Sequence, residues 1–315
     1  MDPPGLDLTR LAAYLEDQGL TRGPLTAELI TGGKSNLTYV VRDATAEYVV
    51  RRPPLGHVLA TAHDMGREYR VMTALRDTPV PVPRTYHLCT DPEVIGAPFY
   101  VMEHVAGERP PMTPALAHEL IDVLAALHSI PPESVGLADF GRPDGYLERQ
   151  VRRWKKQLDA SRSRDIPGID ELFQRLSRDI PRSGAPAIVH GDFKLGNTLI
   201  AGGKVRAVLD WEMSTLGDPL TDLALFLLYG DEAIDLDSEE KGEMANPEEI
   251  VAHYAEATGR DVSRLGWYLG LACFKLAVIA EGIHFRYTQG LTVGEGFAEI
   301  GEHVGRLVAR GLTEV

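Results

Sequence analysis

Four polar residues at or just beyond the ends of two apolar segments have the types and spacing of a catalytic set. His190 and Asp192 come directly after the apolar segment 187–189, and Asn197 lies five positions beyond Asp192. Asp210 ends a second apolar segment. This order matches the pattern H-x-D-x-x-x-x-N followed by a metal-binding aspartate.

The pattern predicts Asp192 as a general base beside an acceptor hydroxyl, with oxygen atoms of Asn197 and Asp210 binding Mg²⁺. Each residue alone is unspecific, but the ordered set is specific.

Residues upstream of this set are of types that bind nucleotide phosphates. Arg51 ends a strand-like segment, at the position where kinase-like folds carry a cation that pairs with phosphate. Glu68 lies on the next predicted helix and can orient Arg51 through an ion pair. A turn before the first long strand can cover phosphates with exposed backbone N–H groups. Its residues are Gly32, Gly33, Ser35 and Asn36.

The elements around these residues form a β-rich part followed by a helical part. β-Branched and aromatic residues predict strands over 37–42, 47–51 and 98–103. The Gly- and Pro-rich segment 105–111 predicts a boundary, with a nucleotide-binding lobe over 1–104 and a catalytic and substrate-binding lobe over 105–315. Apolar spacings of three and four residues predict helices over 7–19, 63–76, 114–129, 145–160, 169–178, 219–230, 247–257 and 263–287.

Composition excludes several other functions. The 315 residues have 46 acidic and 32 basic side chains, a formal net charge of -14, which disfavours nucleic acid and anionic membranes as partners. Cys89 and Cys273 are far apart, so neither a disulfide framework nor a cysteine zinc site is expected, and a cytoplasmic location fits. The apolar segment 265–280 contains Lys275 and predicts a buried helix instead of a membrane span. The acidic segment 231–249 is interpreted as a solvated connection, or else as a lid that recruits a cationic substrate.

In these motifs the chain resembles the aminoglycoside phosphotransferase and choline kinase superfamily, especially its kinase-like domains associated with acyl-CoA dehydrogenases. The resemblance spans about residues 25–290. The strings that carry it are Gly32-Gly-Lys-Ser-Asn36, Tyr48-Val-Val-Arg-Arg-Pro-Pro54, Arg67-Glu-Tyr69, Phe99-Tyr-Val-Met-Glu103, Val189-His-Gly-Asp192 through Asn197, Leu209-Asp-Trp-Glu212, Gly217-Asp-Pro219 and Asp222-Leu-Ala224.

The resemblance implies an α+β, bilobal protein-kinase-like fold, with a small antiparallel β-sheet lobe and a larger, mainly helical lobe. It implies a small-molecule kinase that uses ATP or GTP with Mg²⁺ and phosphorylates a hydroxyl of an aminoglycoside, an amino alcohol or a hydroxyacyl compound. Asp192 is then the general base, His190 supports its loop, and Asn197 and Asp210 bind Mg²⁺. The nucleotide base is expected near the linker residues Met102, Glu103 and Val105.

Some alternatives stay open at this point, and others fail. Arg51 replaces the usual lysine, so a catalytically weak pseudokinase or nucleotide-binding regulator is the main alternative. A metal-dependent hydrolase using His190, Asp192 and Asp210 is another, although the ten histidines are scattered. A P-loop fails, because Glu28 occupies the position where that motif requires glycine. No activation loop follows Asp210, which disfavours a protein substrate.

Overall fold

The structure, a computed structural model, describes residues 2–30, 36–55, 64–231, 234, 242–290 and 300–315. The chain forms two compact units. The first contains Met1–Glu108 together with Thr198–Ser214, and the second contains Arg109–Asn197 together with Thr215–Val315. The single boundary between 104 and 105, and the functional roles given to the two lobes, stay predictions.

The first unit is built on a five-stranded antiparallel sheet. Across the sheet, the strands follow the order first, second, third, fifth and fourth along the chain, and the register places Arg51 opposite Thr38 on one side and Tyr100 on the other. The strands predicted over 37–42, 47–51 and 98–103 are confirmed within one residue at each end. The strands are β1 Thr26–Leu29, β2 Leu37–Arg42, β3 Glu47–Arg52, β4 Thr85–Cys89 and β5 Phe99–Glu103.

Two helices accompany this sheet. Helix α1, Leu8–Asp17, begins after Asp7, whose side chain accepts a hydrogen bond from the Arg10 backbone N–H. Its Leu11 and Leu15 are fully buried in the core that the sheet side chains form. Helix α2, Met65–Leu75, carries Glu68 and begins after the capping residue Asp64. In both helices the carboxylate cap satisfies a backbone donor that has no partner within the helix.

A hairpin from later in the sequence completes the first unit. Strands β7, Thr198–Ala201, and β8, Lys204–Val208, pair antiparallel, and Ile200 also pairs with Glu108. The backbone N–H of Val208 donates to the carbonyl of Pro81 at 2.8 Å. The hairpin thereby fixes the start of the segment that carries Asp210.

The second unit is mainly helical. Its short strands β6, Ala187–Val189, and β9, Thr215–Gly217, pair antiparallel. The predicted helices are confirmed with ends within two residues. They are α3 Pro114–Ser129, α4 Tyr146–Ser161, α5 Ile169–Arg178, α6 Leu220–Tyr229, α7 Pro247–Thr258 and α8 Leu265–Thr288, and a further helix, α9 Ile300–Glu314, follows them.

Helix α8 forms the centre of the second unit. By length and composition it is the one helix in the described part of the chain that could cross a membrane. Most of its side chains are buried, including Phe274, Lys275 and Glu281, and α4, α6 and α9 pack around it. The prediction of a buried helix over 265–280 is therefore confirmed.

Candidate active site

The loop that carries Asp192 begins where strand β6 ends and is anchored by a buried carboxylate. The backbone N–H groups of His190 and Gly191 donate to the carboxylate of Asp222, at 2.6 and 2.8 Å. Gly191 has a φ of +87°, a conformation that favours glycine. Asp222 lies in the first turn of α6. Helix α6 thus fixes the position of the loop through backbone hydrogen bonds.

Asp222 is in turn held by a buried histidine. His128 Nε2 lies 3.3 Å from its carboxylate, and His128 Nδ1 lies 2.7 Å from the Tyr254 hydroxyl. Both Asp222 and His128 are almost fully buried. Burial raises the pKa of Asp222, but the hydrogen bonds from His128 and the Gly191 backbone outweigh it and lower this pKa overall. The anchor is therefore an ionised carboxylate with several donors.

The side chain of Asp192 has a donor on each carboxylate oxygen. Asn197 Nδ2 donates to Asp192 Oδ2 at 3.0 Å and to the Asp192 carbonyl oxygen at 2.8 Å. The Tyr229 hydroxyl donates to Asp192 Oδ1 at 2.5 Å. The Asp192 backbone N–H donates to Nδ1 of the buried His190, at 3.2 Å. The structure therefore brings Asp192, Asn197 and His190 together, and His190 contacts the backbone of the loop.

Two lysines contribute positive charge near Asp192. Lys275 Nζ donates to the Gly191 carbonyl at 2.7 Å, and Lys194 Nζ lies 4.9 Å from the centre of the Tyr229 ring. Burial raises the pKa of Asp192, but Lys275 and Lys194 outweigh this effect and leave the pKa below its ordinary value. Asp192 is accordingly ionised at neutral pH.

A second polar cluster, within the first unit, joins Arg51 to two carboxylates. Arg51 Nε lies 3.1 Å from Glu68 Oε2, so the ion pair expected from the sequence is present. Arg51 Nη2 donates to Asp210 Oδ1. The guanidinium thus connects strand β3, helix α2 and the segment after β8.

Glu68 is the most enclosed member of this cluster. It also accepts hydrogen bonds from Asn36 Nδ2, at 2.9 Å, and from the Tyr100 hydroxyl, at 3.0 Å. Asn36 Nδ2 lies 3.3 Å from a carboxylate oxygen of Glu212 as well. Burial raises the pKa of Glu68 to about 7 against the opposing effect of Arg51. Burial would lower the pKa of Arg51, but the neighbouring acidic groups raise it overall.

The predicted Mg²⁺ ligands offer oxygen atoms, which suit a hard divalent cation. The Asn197 amide nitrogen is used by Asp192, so the oxygen of that amide is the atom left for a cation. The Asp210 carboxylate is partly exposed, and its Oδ1 accepts from Arg51. Asp210 has a φ of +64° and is the one non-glycine residue with positive φ in the described ranges. Within those ranges no three His, Cys, Asp or Glu side chains form a metal-binding group.

The remaining predicted nucleotide-binding residues lie in or near strand β5. Met102 is buried, and Glu103 is exposed, with its carboxylate accepting from the Arg84 backbone N–H at 3.1 Å. Val105 is half-buried just after the strand. Their role at a nucleotide base stays a prediction. Gly32, Gly33 and Ser35 lie outside the described residues.

Sequence reasoning assigned no role to four residues that surround Asp192. Tyr229 and Lys275 lie in apolar helices, where they look like ordinary core positions. Asp222 occurs within a family motif, and its buried place in the first turn of a helix gives it the anchoring role. Lys194 follows Asp192 by two positions, so the sequence alone could have placed it near Asp192.

Comparison with known proteins identifies the family of this chain. The profile of the phosphotransferase enzyme family (APH) matches residues 26–268. Acyl-CoA dehydrogenase family member 11 of Gallus gallus is 37% identical over 313 residues, which cover 92% of this chain and 40% of that protein. The chain thus spans well under half the length of the curated relatives it matches first.

Solved structures lead to the same family. A crystal structure from Ralstonia eutropha JMP134, provisionally described as an aminoglycoside phosphotransferase, has a TM-score of 0.84 and 32% identity, with 98% of each chain covered. Spectinomycin phosphotransferase APH(9)-Ia, solved with ADP and spectinomycin, has a TM-score of 0.65 at 14% identity, with 99% of each chain covered, which shows likeness of fold alone. The predicted α+β, kinase-like fold is confirmed, and the chain belongs to the phosphotransferase enzyme family.

Proposed function

We propose that this chain transfers the terminal phosphoryl group of ATP or GTP to a hydroxyl of a small molecule. The observation that carries the proposal is the environment of Asp192, which is ionised, hydrogen-bonded on both oxygens and flanked by Lys194 and Lys275. A carboxylate prepared in this way suits the acceptor side of phosphoryl transfer. Family membership supports the same reaction class.

Asp192 acts chiefly by orienting the acceptor. Its lowered pKa makes it a weak base, so it does not remove the hydroxyl proton before the reaction begins. Phosphoryl transfer passes through a loose transition state that needs little early deprotonation. Asp192 therefore accepts a hydrogen bond from the hydroxyl and takes its proton as the bond to phosphorus forms. Tyr229 and Asn197 keep the carboxylate in one orientation meanwhile.

On the nucleotide side, we assign phosphate binding to Arg51, and cation binding to Asn197 and Asp210. Arg51 forms an ion pair with Glu68 and donates a hydrogen bond to Asp210. Mg²⁺, when bound, supplies neutralisation of the phosphate charge. The carbonyl oxygen of Asn197 and the carboxylate of Asp210 are the donors that this chain would provide to it.

Charge near Asp192 favours an anionic acceptor over a cationic one. Lys194 and Lys275 contribute positive charge at Asp192, and Arg153 acts on Lys275 from helix α4. A polycationic aminoglycoside would meet repulsion there, whereas an acyl compound with a hydroxyl and a negatively charged carrier would be attracted. Several relatives are named as acyl-CoA dehydrogenase family members. We therefore propose a hydroxyacyl compound, with hydroxyacyl-CoA as the first candidate.

Asp192→Asn tests the assignment of the general base. We expect nucleotide turnover to fall by about 100-fold or more, with the KM for the nucleotide changed only a few-fold, because the variant loses proton acceptance and keeps the nucleotide contacts. Turnover is measured with MgATP and MgGTP, with and without hydroxyacyl-CoA.

The matched control is Asp159→Asn, which changes an exposed aspartate that pairs with Lys155 on helix α4. It should leave turnover unchanged. Equal turnover by wild type and Asp192→Asn would show that the general-base assignment is wrong. Nucleotide binding without turnover on any acceptor would favour the nucleotide-binding regulator instead.

A further inference from the structure

A buried lysine lies in the middle of helix α8. Lys275 is 8% exposed, and its neighbours along helix α8 include Phe274 and Leu276, which are almost fully buried. Burial lowers the pKa of this lysine, which means that the surroundings disfavour its charge. A buried ammonium weakens a fold unless its partners compensate for the lost water, so its presence needs an explanation.

The ammonium group of Lys275 is aimed at the loop that carries Asp192. Nζ donates to the carbonyl oxygen of Gly191 at 2.7 Å. On a second side, Nζ lies 5.7 Å from the centre of the buried Trp154 ring on helix α4, within the range of a cation–π contact. Two contacts from different elements therefore fix the direction of this side chain.

The peptide group that Lys275 contacts is the one that joins Gly191 to Asp192. Asp222 holds this segment from the other side, through the N–H groups of His190 and Gly191. Gly191 has a φ of +87°, and glycine loses the most conformational freedom when it is fixed, so this peptide would otherwise rotate easily. The Gly191 carbonyl takes no part in the bonds to Asp222, and Lys275 donates a hydrogen bond to it.

We propose that Lys275 is a positioning residue, which fixes the Gly191–Asp192 peptide and thereby holds the Asp192 carboxylate in its reactive orientation. The charged groups that face its ammonium are Asp192, Asp222 and Arg153, from three different elements. The catalytic part of this inference rests on the proposed function, whereas the effect on the loop does not. Packing alone does not explain why position 275 carries a charged side chain, because a methionine of similar length would fill the same space.

Lys275→Met separates positioning from packing, because a positioning role predicts lost turnover with little change in Tm, whereas a packing role predicts that both fall together. We expect turnover of MgATP with hydroxyacyl-CoA to fall roughly 10- to 100-fold, since small misplacement of a reacting group costs this much. The Kd of a fluorescent ATP analogue should change less than about twofold. The Tm should change little, because relief of the buried charge and loss of its hydrogen bond to the Gly191 carbonyl oppose each other. Amide exchange of a peptide that covers 190–197 should become faster.

Lys155→Met is the control, since Lys155 lies on helix α4 and pairs with the exposed Asp159. It should leave turnover, the Kd of the ATP analogue, the Tm and amide exchange over 190–197 unchanged. Lys275→Gln, which keeps a neutral donor, should recover part of the lost turnover and protection from exchange.

Two results would overturn the inference. One is a Lys275→Met protein with lower Tm, turnover reduced in proportion and no recovery in Lys275→Gln, which would make Lys275 an ordinary packing residue. The other is unchanged exchange over 190–197. If wild type neither binds nor consumes nucleotide, the proposed function fails, and the exchange measurement still decides whether Lys275 holds the loop.

Discussion

The guanidinium of Arg51 contacts two carboxylates through different nitrogens. Nε faces Glu68 at 3.1 Å, and Nη2 donates to Asp210. A lysine carries one nitrogen and acts as a point charge, so it cannot reproduce both directed contacts. Arg51, which departs from the family pattern, therefore makes contacts that a lysine at this position could not all make.

Arg51→Lys should weaken nucleotide binding more than it slows transfer. We expect the KM for MgATP to rise about tenfold and kcat to change only a few-fold, because the planar fork is lost while the charge remains. Steady-state kinetics with varied MgATP measures both. Arg42→Lys, at a more exposed ion pair with Glu47 in the same sheet, is the control. An unchanged KM would contradict the role given to Arg51.

Around Asp192, residues close together in the sequence were predicted, and residues brought together by the fold were not. Asp192 and Asn197 share one loop, so their spacing reports their geometry directly, and the structure confirms that they are in contact. Tyr229 and Lys275 reach the same loop from helices 37 and 84 residues away from their bonding partners. Their neighbours are apolar, so periodicity places them in the core and gives no hint of the polar contact.

At the scale of elements, the first turn of helix α6 and the end of strand β6 are joined by Asp222. This carboxylate accepts two backbone hydrogen bonds from the loop and has His128 as a third partner. It is fully buried, so water cannot replace a lost partner. Correct placement of Asp192 therefore depends on a residue of another element.

Asp222→Asn should destabilise the second unit. The side-chain N–H₂ group of an asparagine would face the backbone N–H groups of the loop. One of these buried donors would then have no acceptor. We expect the free energy of unfolding to fall by about 2–4 kcal/mol, measured by urea denaturation. Asp261→Asn, at an exposed aspartate that accepts from the Ser263 backbone, should change it by less than about 0.5 kcal/mol. A similar loss in both variants would argue against the anchoring role.

Long amphipathic elements were predicted well, whereas several short strands and helix α9 were missed. Helices α3 and α5 have the predicted ends, because their apolar residues follow a helical period throughout. Strand β4 was missed because it is five residues long and follows a proline-rich strip. Helix α9 was also missed, although Val304, Leu307 and Val308 have helical spacing and are buried. The Gly residues among them obscured that pattern.

At the scale of the whole molecule, net charge is a poor guide to the charge at the candidate site. The chain carries a formal net charge of -14, yet Lys194 and Lys275 are the cations that act on Asp192. Local groups act at short range, whereas exposed charges farther away are screened by salt. Nine of the 19 residues in the acidic segment 231–249, which suggested a cationic substrate, lie outside the described residues.

The positive charges of Lys194 and Lys275 predict which acceptors this chain phosphorylates faster. Turnover on hydroxyacyl-CoA should exceed turnover on any aminoglycoside by about tenfold or more, and its KM should rise with added salt because screening weakens the attraction. An uncharged hydroxyacyl-pantetheine is the matched control, and its KM should respond little to salt. Faster turnover on an aminoglycoside would contradict the proposed acceptor.

The resemblance to a known superfamily, and not periodicity alone, allowed the whole fold to be predicted. Periodicity gave a β-rich part and a helical part, but it could not show that Thr198–Ser214 belongs to the first compact unit. This grouping results from backbone pairing of the β7–β8 hairpin with Glu108 and Pro81, which are far away in the sequence. Non-local pairing of this kind leaves no local signal.

The left-handed backbone of Asp210 restricts how this protein can change over evolutionary time. Asparagine and glycine tolerate a φ of +64°, whereas β-branched and bulky residues are strained there. Both tolerated residues are reached from an aspartate codon by one base change, and both remove the negative charge. A lineage can therefore lose the negative charge of the proposed cation ligand in a single step without introducing backbone strain at this position.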